Sequence, residues 1–448
     1  MSLFKSMPTF SGGVHPPEEK ESTRQKQIQT IPLPEKLILS LNQHIGTPSR
    51  PVVKEGDEVR RGQLIAENEG FCSAAVHAPA GGTIQKIEKH LTPSGKYNDC
   101  IIIQTDGEQQ EELFLEPYPE DEDISPEEII ERTRQAGIIG LGGAGFPTHV
   151  KLSGGEEHEI DTVIINASEC EPYLTVDHRI MLENPEKLLK GLKLIMKATG
   201  ADRGLIGVEE NKTDAAQTLR KKIEEPDIEV KTVQTKYPQG VENMLVYALT
   251  GRKVKPTSLP LEVGVVVNNV NTVLALFEAV FEGKPLLERP VTLAGPPVGK
   301  PGNYLTPIGT PYADLLETGE VDMEDVKMVV DGGPMMGDPQ SSLETPTVKT
   351  TGGVTVFDAK KIALKDEYSC IRCGRCVNHC PQKLVPARLA KLVREGNFEQ
   401  ADEEDIAGCL DCGACSYVCP SGIPLVHLLQ LGKNITENVE GELTCDFY

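Results

Sequence analysis

The chain has 448 residues, 38% of them hydrophobic, and a formal net charge of −23 from 45 basic and 68 acidic side chains. At about 150 residues per domain, this length predicts roughly three domains. The acidic balance argues against nucleic acid and anionic lipid as binding partners, because both attract basic surfaces.

No apolar stretch of the sequence approaches the ~20 residues that a membrane-spanning helix needs. The N-terminal run from Met1 to Gly13 also lacks the basic and apolar regions of a signal peptide. We therefore expect no direct membrane insertion. Any membrane role would be peripheral and would depend on partner proteins.

The N-terminal third of the chain predicts an extension and a small β module. Residues 1–30 are polar, and their distinctive run is Gly12-Gly13-Val14-His15-Pro16-Pro17. In residues 31–105, short β-type runs separated by turn residues resemble the barrel-sandwich module of lipoyl carriers. Lipoyl carriers modify a lysine in the turn between the two halves, but Glu69 to Ala75 contain none, so we expect a structural module.

The middle of the chain predicts a linker followed by an α/β domain. Residues 106–123 hold nine acidic side chains and no basic one, which indicates a solvated linker or, alternatively, an acidic docking site. Ser125-Pro126-Glu127-Glu128 then has the pattern of a capping box that opens a helix. Strand-like and helix-like runs alternate through residues 124–283, as is typical of an α/β domain with a mostly parallel sheet.

The C-terminal part predicts two smaller domains. Short strands and turns in residues 284–345 indicate a β-grasp-like domain. A polar linker, 346–366, leads to a cysteine-rich domain of the ferredoxin-like, α-helical kind at 367–432. We expect the remaining residues, 433–448, to form a flexible tail.

Two cysteine runs with the spacing C-x2-C-x2-C-x3-C-P lie in the C-terminal domain. This spacing is that of two-cluster bacterial ferredoxins, in which the fourth cysteine of each run binds the other cluster. It predicts one [4Fe–4S] cluster on Cys370, Cys373, Cys376 and Cys419, and a second on Cys380, Cys409, Cys412 and Cys415. Structural zinc is the alternative, because it also uses C-x2-C pairs, but it does not explain two identical runs that each end in Cys-Pro.

Four polar loops of the α/β domain are candidates for a cofactor site, because ligands of such sheets bind at the carboxyl ends of the strands. Glycines in the first loop would let backbone N–H groups approach a phosphate, and a lysine would add charge. The candidates are Gly140, Gly142, Gly143, Gly145, Phe146 and Lys151 in the first loop, Asn166, Glu169 and Glu171 in the second, Tyr237, Gly240 and Glu242 in the third, and Asn268, Asn269 and Thr272 in the fourth. A solvated loop acid remains the alternative for the two carboxylates of the second loop.

These loops resemble the 51-kDa flavin- and NADH-binding subunit of respiratory complex I. The resemblance implies that the glycine loop wraps the phosphate of non-covalent FMN, and that Asn166 and Glu171 contact flavin or nicotinamide. It implies no catalytic side chain, since the cofactor carries the hydride chemistry and Glu171 would position the nicotinamide. The chain departs from that pattern at Leu141, where the complex I loop usually has Arg, and at Ser168, where it has Asp.

The order of the modules, from the Gly-Gly-Val-His-Pro start to the two-cluster tail, resembles the RnfC family over roughly residues 10–430. The resemblance implies electron exchange between NADH, through FMN, and two [4Fe–4S] clusters. It also implies a peripheral place on the cytoplasmic face of a membrane complex that links NAD(H) to ferredoxin and moves H+ or Na+. The expected partners are the other subunits of the Rnf complex, including its ferredoxin-side iron–sulfur subunit.

Two alternative functions remain open at this point. One is a cobalamin reductase built from related modules, although in that family the cluster motif lies in mid-chain and here it is C-terminal. The other is a pure electron wire, with two clusters and a flavin fold that no longer binds flavin.

Overall fold

The computed structural model describes residues 7–107, 114–120, 122–143, 145–154, 158–362 and 366–440. Some predictions concern the first six residues, part of the acidic stretch at 108–113 and the last eight residues. These predictions lie outside the described residues.

The sandwich module consists of two small antiparallel sheets with one core between them. An edge strand of another sheet, β1 (Ile28–Thr30), precedes it. One sheet has the order β2-β8-β7-β4 and the other the order β3-β5-β6. The strands are β2 (Lys36–Ser40), β3 (Arg50–Pro51), β4 (Glu58–Val59), β5 (Leu64–Glu67), β6 (Val76–His77), β7 (Gly82–Leu91) and β8 (Tyr97–Thr105). Alternating side chains such as Leu37, Ile65 and Ile101 fill the core, and the barrel-sandwich prediction is confirmed.

The α/β domain is built on a parallel sheet of four strands with the order β11-β10-β9-β12. Its elements are α1 (Pro126–Gln135), α2 (Thr148–Ser153), β9 (Thr162–Ala167), α3 (Val176–Glu183), α4 (Pro185–Thr199), β10 (Arg203–Glu209), α5 (Thr213–Lys222), β11 (Ile228–Val233), α6 (Glu242–Thr250), β12 (Val265–Asn269) and α7 (Val270–Phe281). From β9 the chain adds β10 and β11 on one side and later places β12 on the other. The switch point of the sheet therefore lies between β9 and β12.

The first helix of this domain begins where the sequence pattern predicted it. Ser125 Oγ accepts a hydrogen bond from the backbone N–H of Glu128 at 3.2 Å, so the serine caps α1. Residues 177–198, one of the helix-like runs of the alternating pattern, lie in two helices. The break falls at Asn184, because Pro185 begins α4 at a position that suits proline and cannot continue α3.

The third unit has the strand order of a β-grasp. Its own elements are β13 (Glu288–Ala294), β14 (Gly302–Pro307), α8 (Tyr312–Thr318), β15 (Met328–Asp331), β16 (Asp338–Pro339) and β17 (Gly353–Phe357). The sheet order is β1-β14-β13-β17-β15-β16, with the first and last strands of the unit, β13 and β17, parallel at its centre. The fully buried strand β17 falls in the stretch predicted as a linker, 346–366. The linker prediction is wrong at Gly353–Phe357, because Gly and Thr residues are typical of turns and did not indicate a central strand.

The described parts of the N-terminal extension and of the acidic stretch pack against the other units. Strand β1 of the extension pairs in parallel with β14 of the β-grasp sheet. In the described part of the acidic stretch, the Phe114 ring packs 4.2 Å from the His77 ring. The backbone N–H of Tyr118 donates to Val280 O at 3.0 Å. Both segments are therefore packed parts of the fold.

The cysteine-rich domain consists of short helices joined by turns. These are α9 (Arg375–His379), α10 (Pro386–Arg394), α11 (Phe398–Glu403), α12 (Ala414–Tyr417) and α13 (Leu425–Glu440). Helix α13 runs beyond residue 433, where a flexible tail was predicted, and its buried start, with Leu425 and Leu429, packs into the core of the domain. Of the described helices, none combines the length and the apolar character that crossing a membrane requires.

Candidate functional site

The glycine loop follows α1 and is closed on itself. The backbone N–H of Gly140 donates to Phe146 O at 2.7 Å, and that of Leu141 donates to Thr272 Oγ1 on α7 at 2.9 Å. Thr272 is fully buried, so it anchors the loop to the helix. At the exposed tip, a Cβ on Gly142 would lie 3.1 Å from Asn269 Cβ, and Gly143 has a φ of +127°. The backbone conformation therefore favours glycine at position 143, whereas a side chain at position 142 would have to displace Asn269 slightly.

A buried arginine that the sequence analysis missed supports this loop from behind. Arg289 of β13 is 2% exposed, and its Nη1 donates to Leu141 O at 3.0 Å and also to Lys349 O. Burial lowers the pKa of Arg289 to about 10, so the guanidinium stays charged at neutral pH. The sequence offered only a weak signal, the charged pair Glu288-Arg289 at the start of a strand.

Two predicted residues from different loops form an ion pair. Lys151 Nζ lies 3.0 Å from Glu242 Oε1 and also donates to Val267 O at 3.0 Å. The structure thus joins the lysine of the glycine loop to the start of α6. Lys151 is largely buried, whereas Glu242 is 43% exposed.

The second and fourth loops also meet their neighbours through amides. Asn166 Nδ2 donates to Gly240 O at 2.6 Å, which ties the end of β9 to the loop before α6. Asn269 Oδ1 caps α7 by accepting from the backbone N–H of Asn271 at 2.8 Å. Asn269 Nδ2 donates to Asp177 Oδ2 at 2.8 Å, and burial raises the pKa of Asp177 to about 7.

Glu169 caps the first turn of helix α3. Its carboxylate accepts from the backbone N–H groups of Asp177 at 2.7 Å and His178 at 3.3 Å, at the first turn of α3. Its side chain is 4% exposed, with Lys20 Nζ at 3.9 Å. Glu169 therefore caps a helix, where a carboxylate complements the helix dipole, and its predicted contact with the cofactor stays a prediction.

Glu171 lies where three parts of the chain meet. Its Oε1 is 3.4 Å from the Tyr237 hydroxyl, and its Oε2 accepts from the backbone N–H of Met335 at 3.2 Å. Burial raises the pKa of Glu171 to about 7. Burial also raises the pKa of Tyr237, so its phenol stays protonated and donates to the carboxylate. A carboxyl group with its pKa shifted to neutrality is typical of a functional site.

Unpartnered polar atoms at this edge of the sheet fit a polar cofactor such as FMN. Asn268 Nδ2, Ser168 Oγ and Gln239 Nε2 are buried and have no hydrogen-bond partner among the described residues. Each lies in one of the predicted loops. Buried polar atoms of this kind normally have partners, so a ligand rich in acceptors and donors would complete them.

The eight motif cysteines form two groups in the cluster domain. Cys380, Cys409, Cys412 and Cys415 line one cavity, although Cys380 belongs to the first run and the others to the second. Burial and the neighbouring thiols raise the pKa of Cys412 to about 11 and that of Cys415 to about 12. Thiols so close together ionise jointly only beside positive charge, and iron would supply it.

The first run lies nearer the surface. Cys370 and Cys373 are exposed, Cys376 is partly buried, and Cys419 of the second run is buried. Burial raises the pKa of Cys376, and Cys370 and Cys373 lie close enough to add to the shift. Across the described ranges, no group of three or more His, Cys, Asp or Glu residues could hold a single metal ion.

The second run packs against the predicted flavin loops. Tyr237 and Cys412 belong to one apolar cluster, together with Val14 and Ala414. A Cβ on Gly413 would lie 2.9 Å from Met335 O, so the cysteine turn also packs closely against the loop that holds Glu171. The two candidate centres are therefore neighbours in the fold.

Comparison with known proteins matches three domains in this order. Residues 8–108 match the RnfC barrel sandwich hybrid domain, residues 133–278 the Nuo51 FMN-binding domain, and residues 369–423 the 4Fe-4S dicluster domain. Fold and site together define a modular iron–sulfur flavoprotein of the electron-transfer class.

The chain belongs to the RnfC family, whose members are subunits of ion-translocating ferredoxin:NAD oxidoreductase complexes. It is 40% identical over 400 residues to the family member from the proton-translocating ferredoxin:NAD(+) oxidoreductase complex of Clostridium ljungdahlii, covering 88% of this chain and 87% of that one. It is 38% identical over 398 residues to the family member from the Na(+)-translocating complex of Acetobacterium woodii, covering 89% and 90%. The resemblance to the RnfC family is confirmed.

A solved structure, the crystal structure of an NAD+-reducing [NiFe]-hydrogenase in its H2-reduced state, has a similar fold. The TM-score is 0.51 and the identity 20%, and the match covers 73% of this chain and 63% of that one. At this identity the likeness describes the fold alone.

Proposed function

We propose that this chain exchanges electrons between NADH and two [4Fe–4S] clusters, as the NADH-side subunit of a membrane-bound complex that links NAD(H) to ferredoxin. The observation that carries the proposal is that Tyr237, in a predicted flavin loop, and Cys412, a predicted cluster ligand, belong to one buried apolar cluster. The names of the relatives support the NAD and ferredoxin chemistry, and they assign the translocation of H+ or Na+ to the complex as a whole. Among the enzymes considered, they favour this function over that of a cobalamin reductase.

The flavin loops would hold FMN at the switch point between β9 and β12. When bound, FMN accepts the hydride of NADH as an electron pair and passes electrons on singly. The chain would hold the phosphate end at the Gly140–Gly145 turn, with the charges of Lys151 and Arg289 close by. Glu171 would orient the nicotinamide, because its carboxylate is already fixed by Tyr237 and the Met335 N–H.

The cysteine groups suggest an order for the clusters. The cluster on Cys380, Cys409, Cys412 and Cys415 would accept electrons first, because this group packs beside Tyr237. The cluster on Cys370, Cys373, Cys376 and Cys419 would be the outer one.

Exposed apolar side chains beside the outer group support a docking partner there. Tyr368 is 65% exposed and Ile371 is 68% exposed, and both flank or lie within the first run. The ferredoxin-side iron–sulfur subunit is the partner that this position suits, because the outer cluster would deliver electrons to it. The chain would then sit peripherally at the cytoplasmic face of the membrane.

Anaerobic reconstitution of the full chain with FMN, iron and sulfide tests the proposal. The loaded chain should reduce an artificial one-electron acceptor with NADH, without any partner subunit. A chain that binds both clusters but neither binds FMN nor oxidises NADH would instead be an electron wire.

A further inference from the structure

Residues Pro8 to Val14, here named the strap, contain a glycine pair that the proposed function does not use. The strap lies between the loop at residues 234–239, which carries Tyr237, and the loop at residues 379–383, which carries Cys380. It therefore contacts a flavin loop and a cluster loop at the same time.

Hydrogen bonds join the strap to the flavin loop at several successive residues. Val14 and Tyr237 exchange both backbone hydrogen bonds, at 2.7 and 2.9 Å. Three further bonds precede this pair, from Gln234 N to Pro8 O at 3.1 Å, from Thr9 Oγ1 to Gln239 Oε1 at 3.1 Å and from Lys236 Nζ to Phe10 O at 2.9 Å.

Hydrogen bonds also join the strap to the loop that carries Cys380. The backbone N–H of Gly13 donates to His379 O at 2.8 Å, next to the ligand Cys380. Lys383 Nζ donates to Ser11 Oγ at 2.8 Å, between residues 372 positions apart in the chain. The strap thus ties together two loops that are distant from it in sequence.

The glycine pair is required by both conformation and space. Gly12 and Gly13 have φ values of +94° and +75°, which side-chain-bearing residues rarely adopt. A Cβ on Gly12 would lie 2.8 Å from Cys380 O, and a Cβ on Gly13 would lie 2.5 Å from Tyr237 O. Any side chain at these positions must push the strap away from one loop or the other.

We propose that the strap is an interdomain clamp that sets the separation between the flavin and the inner cluster, with Gly12 and Gly13 as its positioning residues. The inference rests on the proposed function, because it concerns the passage of electrons between these two centres. The rate of electron transfer falls steeply with distance. A misplacement of about 1 Å already costs a chemical step about a hundredfold in many enzymes.

The test compares Gly12→Ala with Gly200→Ala in the full chain, reconstituted with FMN and both clusters. Gly200 has a φ of +72° and no atom within 4 Å of the position that a Cβ would take, so its substitution carries similar backbone strain without touching the strap. After mixing with NADH, we expect the flavin in Gly12→Ala to bleach at the rate of the unsubstituted chain. The clusters should then be reduced about tenfold more slowly or worse. The Gly200→Ala chain should reduce both the flavin and the clusters at the rates of the unsubstituted chain.

Lys383→Met is a second variant, which removes the bond to Ser11 without adding bulk at the clamp. It should also slow cluster reduction, but by less than Gly12→Ala does. Hydrogen exchange at the amides of Gly13 and Val14, measured without added NADH, should be faster in both variants. Cluster reduction at the unsubstituted rate in both variants overturns the clamp. So does a Gly12→Ala chain that only loses FMN or iron while Lys383→Met behaves normally.

Measurements on the unsubstituted chain distinguish failure of the clamp from failure of the proposed function. If NADH reduces neither flavin nor clusters in that chain, the proposed function fails. If NADH reduces both centres there and Gly12→Ala matches it, the clamp alone fails.

Discussion

The Tyr237 hydroxyl lies 3.4 Å from Glu171 Oε1, and Tyr237 belongs to the same buried apolar cluster as the cysteine Cys412. One buried tyrosine therefore connects the acid predicted to position the nicotinamide with a predicted ligand of the inner cluster.

Glu171→Gln should keep FMN and both clusters and should slow flavin reduction by NADH. A hydrogen bond to a charged group contributes ~1.5–3 kcal/mol, so the loss should be roughly ten- to a hundredfold. The pKa of Glu171 is raised to about 7 by burial. In the unsubstituted chain, the rate of flavin reduction should therefore rise with pH through neutrality, and in Glu171→Gln it should not. If the variant and the unsubstituted chain had the same pH profile, Glu171 would not be part of the site.

Cys380→Ala and Cys419→Ala should each remove the cluster of the other run. Cys380 shares a cavity with Cys409, Cys412 and Cys415, so its loss should abolish the inner cluster and leave about four irons per chain. Cys419→Ala should spare the inner cluster and damage the outer one. Iron analysis and EPR of the reduced protein distinguish the two losses. The matched control is Cys100→Ala, at a buried cysteine of the sandwich module, which should retain both clusters.

Substitutions of Lys151 and Glu242 should change FMN affinity in opposite directions. The two side chains are paired at 3.0 Å, so Glu242 competes with a phosphate for the lysine. Lys151→Met should weaken FMN binding about tenfold, the effect of one charge-assisted hydrogen bond, and Glu242→Gln should tighten it.

Flavin fluorescence titration measures both effects. Lys193→Met removes one positive charge from a surface pair elsewhere and serves as the control. Weaker binding in Glu242→Gln would mean that the glutamate contacts the flavin itself.

The stability of Asp177→Asn relative to the unsubstituted chain should rise from acid to alkaline pH. Burial raises the pKa of Asp177 to about 7, whereas the unfolded value is about 3.9. The folded state then holds the proton more tightly, so Asp177 favours folding below about pH 4 and this contribution is lost as pH rises to about 7.

Thermal unfolding at pH 5 and pH 8 provides the measurement. The melting temperature of Asp177→Asn relative to the unsubstituted chain should rise between the two pH values. A difference that stays constant would show that Asp177 titrates at its ordinary pKa.

Local sequence signals predicted most of the domain organisation. The cysteine spacing indicated two clusters, the alternation of strands and helices indicated the parallel sheet, and Ser125 capped its helix as expected. These signals work because the residues that interact are close in sequence.

The errors came from contacts between distant residues. No periodicity relates Arg289 to Leu141, or Lys151 to Glu242, and the partners are set only when β13 and α6 take their places. Strand β17 was taken for a linker because its Gly and Thr neighbours look like turn residues until the β-grasp sheet buries them. The roles predicted for the flavin-loop residues stay predictions, including that of Glu169, whose carboxylate caps α3.

The most direct test mixes the anaerobically reconstituted chain, free of partner subunits, with NADH in a stopped-flow spectrometer and freezes matched samples for EPR. The account predicts that flavin absorbance falls first and that signals of reduced [4Fe–4S] clusters then appear in the same chain. Flavin that is reduced while both clusters stay oxidised, or clusters reduced by NADH in a chain without FMN, would contradict it.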